Sequence, residues 1–212
     1  MRGPEGAARA VSGYLERAAE PSLRALEARL GEPAGSLGTP AQIVALEPPR
    51  FGLDQLPALI TTARNLTTAV YLPGSGEDGQ QFACTYSVRV DVTLAARSAE
   101  VADLTSKRWL LAVREAMLAC RGLLDPDGAT TLQPSWTESY GEVTEYESQW
   151  MASAWMDWQV QLTETLPREV IAQVLGFDVV AAAAGWAGQP ARAAPLPETL
   201  PEPMPRRHPA LD

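Results

Sequence analysis

Strict alternation of apolar and polar residues is the clearest pattern in the sequence, and it runs from Phe82 to Ala96. Every even-numbered position in this range is apolar, and most odd-numbered positions are polar or charged. Successive side chains of a strand point to opposite faces, so the pattern predicts one long strand with a buried face and an exposed face. The apolar positions are Phe82, Cys84, Tyr86, Val88, Val90, Val92, Leu94 and Ala96.

The same alternation returns between Trp150 and Leu162, and it predicts a second long strand that runs antiparallel to the first. Trp150 and Trp158 fall on its apolar face, where we expect them to lie in the core. Trp155 falls on the polar face. There it is either a single exposed residue or an anchor at a contact between proteins, since Trp is enriched at such contacts.

Apolar residues at helical spacing predict two helices. The first covers residues 1–31, and Pro21 interrupts it, so we expect either a kink or two helices separated near Ala19–Pro21. The second begins after Ser98, a suitable N-cap, and continues to Gly122, a suitable stop. Its predicted apolar stripe consists of Val101, Leu104, Leu110, Leu111, Val113, Met117 and Leu118.

Shorter patterns complete the predicted fold. Short strands are predicted at Ile43–Leu46, Ala58–Thr62, Thr67–Leu72, Thr130–Gln133 and Trp136–Tyr140, and a short helix is predicted at Arg168–Leu175. The fold class is therefore α+β, with a mostly antiparallel sheet that contains two long strands and packs against an N-terminal helix and one long central helix. Residues 1–181 are predicted to form a single domain, followed by an extended Pro/Ala-rich C-terminal tail at 182–212.

Composition narrows the classes of function. The 212 residues are 46% hydrophobic and 20% charged, which is enough to build a sizeable core. The formal net charge of -9 argues against a protein that binds nucleic-acid phosphates through clustered cations. No apolar run is long enough to span a membrane, and the N-terminus has no apolar signal core. We therefore expect an intracellular protein without a membrane partner.

Few residues are available for catalysis. The single histidine, His208, lies in the Pro-rich tail, so a Ser-His-Asp or Cys-His site would depend on a segment that is hard to hold rigid. The two cysteines, Cys84 and Cys120, are predicted to be buried free thiols, and they are too few for a His/Cys zinc site. We assign no catalytic, cofactor-binding or metal-binding residues and do not expect an enzyme.

Carboxylates are concentrated between Glu138 and Glu147. Paired carboxylates can act as acid and base, but no periodic spacing brings two of these side chains together. A solvated acidic loop is the prediction for this segment. Its members are Glu138, Glu142, Glu145 and Glu147.

The segment YSVRVDVTLAARSAEVADLTSKRWLLAVREAML at 86–118, together with LPALI at 56–60, resembles the tail terminator (tail completion) proteins and related neck proteins of long-tailed bacteriophages. In that family a long strand passes into a long helix much as Tyr86–Leu94 passes into Ser98–Leu118 here. The resemblance covers roughly residues 5–166 and rests on the order and texture of the elements.

The resemblance implies a virion structural protein that is assembled in the host cytoplasm. Such a protein forms a hexameric ring that caps the tail tube and joins it to the head–tail connector. Its partners would be further copies of itself, the tail tube protein and a connector or neck protein, with DNA passing through the lumen without specific binding. The segment at 167–212 departs from the family pattern, and our hypothesis is that it reaches over a neighbouring subunit or neck protein.

Exposed strand faces with charged and aromatic residues also suit contact between subunits without reference to any family. The candidate interface residues are Trp155, Arg89, Asp91, Arg97 and Asp157. Two alternatives stay open. One is another neck, head-completion or tail-tube subunit of similar fold. The other is a small carboxylate enzyme or ligand-binding domain with an acidic pocket that uses Glu138, Glu142 or Asp157.

Overall fold

The computed structural model describes residues 3–45, 52–73, 79–125 and 129–167. In this part of the chain, two α-helices and a six-stranded sheet confirm the predicted α+β class. The helices are α1 (Gly3–Leu30) and α2 (Ala99–Ala119). The strands are β1 (Gln42–Ala45), β2 (Ala58–Leu72), β3 (Gly79–Ala96), β4 (Thr130–Tyr140), β5 (Thr144–Tyr146) and β6 (Gln149–Pro167).

The sheet is mostly antiparallel, as predicted. Its strand order is β1-β2-β3-β6-β4, and β5 pairs with the start of β6. Only β1 and β2 pair in parallel among the described strands. The two long strands, β3 and β6, lie side by side and pair from Gly79–Pro167 to Ala96–Trp150 without a shift in register.

Both helices pack on the face of the sheet that carries the even-numbered residues of β3 and β6, and this layer is the core. Trp109 of α2 is fully buried, and its indole Nε1–H donates to the Leu37 carbonyl at 2.7 Å. Polar contacts join the elements of the core. Tyr14 Oη of α1 donates to the Ala116 carbonyl of α2 at 2.5 Å, and Thr61 Oγ1 of β2 donates to the Ala8 carbonyl of α1 at 2.9 Å. Hydrophobic burial is the main stabilising term, and these hydrogen bonds satisfy the polar atoms inside it.

Two predicted breaks in the sheet are wrong. The strands predicted at Ala58–Thr62 and Thr67–Leu72 are one strand, β2, with register shifts between Ala63 and Asn65 and between Leu66 and Thr68. The pair predicted at Thr130–Gln133 and Trp136–Tyr140 is likewise one strand, β4, with one shift. A bulge adds a residue to one strand, so it interrupts the alternation of side chains without ending the strand.

The predicted first helix is one helix, and Pro21 lies inside it rather than separating two helices. In α2 the predicted N-cap is confirmed, because Ser98 Oγ accepts from the Val101 amide at 3.3 Å. The helix ends at Ala119 and not at Gly122, and the chain turns through Leu123 and Leu124, whose φ angles are 49° and 54°.

The predicted apolar stripe of α2 is wrong in three of its seven members. Val101, Leu104 and Leu118 are exposed, whereas Leu110, Val113 and Met117 are buried. The buried face is completed by Ala102, Ser106, Trp109, Ala112 and Ala116. Small side chains let a neighbouring element approach closely, so they mark the buried side of this helix better than the larger leucines do.

The predictions about two tryptophans and the two cysteines have mixed outcomes. Trp158 lies in the core as predicted, whereas Trp150 is only half-buried at its margin. Cys84 is a buried free thiol, and Cys120 is a free thiol that is half-buried. The predicted strand at Ile43–Leu46 corresponds to β1. Leu46, the short helix at Arg168–Leu175, the boundary at residue 181 and the tail with His208 lie outside the described residues.

One carboxylate is buried at the end of α1. Glu27 is 1% exposed, and both of its carboxylate oxygens accept from Arg24 Nη1 at 2.8 Å. It also accepts hydrogen bonds from the Gly35 and Leu37 amides. Burial opposes ionisation, but the hydrogen bonds outweigh it and hold the pKa of Glu27 below its ordinary value. Leu37 in turn accepts the hydrogen bond from Trp109, so Glu27 organises the loop that satisfies the largest buried side chain of α2.

Replacing Glu27 by Gln removes this charge. Because folding lowers the pKa, the stabilisation is present above the unfolded pKa and is lost as the pH falls through the folded value. We expect E27Q to melt at a lower temperature than the wild type at about pH 7, with the difference shrinking as the pH falls below about 4. Melting curves followed by circular dichroism measure both effects.

The matched control is Glu5→Gln, at an exposed residue of the same helix that pairs with Arg9. It should leave the melting temperature nearly unchanged, since exposed helix pairs contribute little. A deficit of E27Q that stayed constant down to acid pH would contradict the assignment of the effect to the Glu27 charge.

Candidate interaction surface

The face of the sheet opposite the helices is polar, and no described helix or strand packs on it. It consists of the odd-numbered residues of β3 and β6, which are half-buried along most of both strands. Its central members are Thr85, Ser87, Arg89, Asp91, Thr93, Ser153, Trp155, Asp157, Gln159 and Gln161. We call this surface the polar face. Most of these residues have hydroxyl or amide side chains, and one arginine and two aspartates carry the charge.

The candidate residues Arg89 and Asp157 meet at the centre of the polar face. They lie directly opposite each other across β3 and β6, and their side chains form a bidentate pair with both N–O distances at 2.9 Å. The guanidinium also lies over the Trp155 ring, 5.2 Å from its centroid. The hydrogen bonds to Asp157 raise the pKa of Arg89 above its ordinary value, so the pair stays charged.

The structure brings four of the five candidate interface residues together. Asp91 lies opposite Trp155 in the sheet, next to the Arg89–Asp157 pair. Arg97 lies apart from them, exposed in the turn between β3 and α2. Whether these residues form an interface remains a prediction.

Glu138 was expected in a solvated loop, and that expectation is wrong. Glu138 lies within β4 on the helix side of the sheet, where it accepts hydrogen bonds from Arg114 at 2.8 Å, Trp136 Nε1 at 3.1 Å and Tyr140 Oη at 3.0 Å. Burial opposes ionisation, but these donors hold its pKa below the ordinary value. Residue spacing could not show this, because Arg114 comes from a different element.

The acidic pocket required by the carboxylate alternative is not assembled from its named residues. Glu138 is on the helix side of the sheet, Asp157 is on the polar face, and Glu142 is exposed beyond the end of β4. Among the described residues, no group of three His, Cys, Asp or Glu side chains could hold a metal ion. The described helices contain no stretch that is long and apolar enough to cross a membrane.

The acidic tip is the turn that joins β5 to β6. We define it as Glu145, Tyr146 and Glu147, all of which are exposed. Glu147 and Ser148 form a tight turn with φ angles of 49° and 62°. Gly141, in the segment between β4 and β5, packs closely against β6. A Cβ at that position would collide with Ser153 Oγ.

The arginine groove lies between α1 and the turn that follows α2. Its volume is about 380 Å³, and it is open to solvent. Residues Gly6, Arg9, Ala10, Gly13 and Arg17 form one side, and Leu123, Leu124, Asp125 and Thr130 form the other. The sequence patterns did not predict this groove. Small residues and arginines at i, i+3, i+4 and i+7 spacing on α1 indicate one wall of the groove. The opposite wall comes from residues far away in the sequence, so no local spacing predicts it.

No protein-family model matches the chain, and no curated protein is found as a relative.

The Arg89–Asp157 pair should show measurable coupling. Arg89 and Asp157 side chains are 27% and 25% exposed, so the Coulombic gain is partly screened. In a double-mutant cycle of Arg89→Gln and Asp157→Asn, followed by urea unfolding, we expect a coupling free energy of about 1 kcal/mol.

The reference cycle uses Asp103 and Lys107, an exposed pair on α2 at 2.7 Å. Its coupling should be smaller, about 0.3–0.5 kcal/mol, as is usual for exposed helix pairs. Coupling at Arg89–Asp157 no larger than in this reference would show that the bidentate geometry adds nothing.

Proposed function

We propose that the chain is a virion structural protein, a tail terminator that forms a ring, caps the tail tube and joins it to the head–tail connector. The observation that carries the proposal is the polar face, a long sheet surface without a described covering layer. A sheet normally buries at least one face, and here the helices supply that on one side only. No described helix or strand covers the opposite side, which suits contact with other proteins or the lining of a lumen.

Charge supports the same function. The polar face presents one arginine at its centre, and Asp157 already neutralises it. The chain as a whole carries a net charge of -9. A surface without spare cations has little affinity for phosphate, so DNA could pass it without being retained. This is the property required of a ring through which a genome travels.

The sequence resemblance to tail terminator proteins also supports the proposal, because the strand and the helix that carry it are both present in the fold. The strand and helix that carry it are β3 and α2, and they pass directly into one another in the fold. The proposed partners are further copies of the chain in a hexameric ring, the tail tube protein and a connector or neck protein. The proposed location is the virion neck, after assembly in the host cytoplasm.

Electron microscopy of the purified full chain tests this function. We expect closed rings one subunit thick, with assembly that increases with protein concentration. Terminators stop at one ring, whereas tube subunits stack, so long tubes would favour the tail-tube alternative. A chain that stays monomeric at the highest accessible concentration, by light scattering, would contradict self-assembly.

A further inference from the structure

The acidic tip carries charge and an anchor at one end of the molecule. Within residues 142–148 there are three glutamates and no cation. Tyr146 is 54% exposed and lies between two of the glutamates. A tyrosine held at a tight turn supplies a large contact area at a small entropic cost, which is why this residue type is common in binding sites.

The arginine groove has the opposite charge. Arg9 and Arg17 are eight residues apart on one helix, so they lie about 12 Å apart along its axis. The carboxylate on the other wall, Asp125, already accepts a hydrogen bond from Thr130 Oγ1. Arg9 pairs with Glu5 on the helix surface, an exposed contact that costs little to exchange. Leu124, 50% exposed, adds an apolar wall.

The two features lie at opposite ends of β6. The tip adjoins Gln149, whereas Thr130 in the groove pairs with Leu162. Thirteen residue steps of an extended strand separate these positions by about 44 Å. A tip therefore cannot reach the groove of its own copy. A contact between them joins two copies head to tail, and such an interface closes into a ring when the rotation between successive copies closes.

We propose that the acidic tip of one copy docks in the arginine groove of the next copy. Tyr146 packs against the leucine wall, and the flanking glutamates pair with Arg9 and Arg17. This inference rests on the proposed function in one respect, because it requires copies to associate. Beyond that function, the inference names the two surfaces through which the copies associate. Because the contact is between opposite charges, it should weaken as the salt concentration rises.

Charge reversal in the full chain tests the docking. One variant carries Glu145→Arg and Glu147→Arg, and the other carries Arg9→Glu and Arg17→Glu. Each alone places like charges across the contact, so we expect the dissociation constant for self-association to rise about 100-fold in sedimentation equilibrium at low salt. All four substitutions in one chain restore opposite charges, so association should return. An equimolar mixture of the two variants should also assemble.

The control is Asp54→Arg with Glu100→Arg. It makes the same change in net charge as the tip variant, at exposed residues outside the tip and the groove. It should assemble like the wild type, and circular dichroism should show all variants folded. If single-surface reversals leave assembly intact, or the four-substitution chain fails to recover it, the docking is wrong while the ring proposal stands. A wild-type chain that never associates overturns both.

Discussion

The pairing of β3 with β6 is the constraint on which the rest of the structure depends. Eighteen consecutive pairs run from Gly79–Pro167 to Ala96–Trp150. Side chains alternate between faces, so a slip of one residue by either strand would expose the apolar set of that strand to water. It would also carry the charged residue of that strand, Arg89 of β3 or Asp157 of β6, into the core. Burying an unsatisfied charge is costly, so the core and the polar face enforce the same register. That register also places Arg89 opposite Asp157.

Sequence patterns predicted the elements where a period persists over many residues. Both long strands and α2 belong to this group, because one face of each is continuously buried. The patterns failed at bulges, where β2 and β4 continue although their alternation is broken. They also could not pair Arg89 with Asp157. The register across β3 and β6 is set through a connection that contains a helix and two further strands, and no local spacing encodes it.

Small and polar residues account for the other differences. Ala102, Ala112 and Ala116 lie on the buried face of α2, where close packing favours small size over hydrophobicity. The Glu27 carboxylate can be buried because Arg24 and two backbone amides donate hydrogen bonds to it. Residue type alone predicts an exposed glutamate, since glutamates are rarely buried without a partner. The arginine groove could not be predicted either. The residue spacing on α1 indicates one wall, but the turn after α2 supplies the other wall from a distant part of the chain.

The edges of the sheet indicate how copies of this chain could meet. An exposed strand edge is a template for pairing with another chain, and bulges or prolines weaken that template. At one edge, the part of β2 that extends beyond its pairing with β1 contains two shifts in its register with β3. At the other edge, β4 contains one shift in its register with β6, and Pro134 lies within that shift. Neither edge offers a long regular ladder. Association would then depend on side chains rather than on backbone pairing. Side-chain contacts between charged surfaces can be formed and exchanged without disturbing the sheet, which suits the proposed association of folded copies.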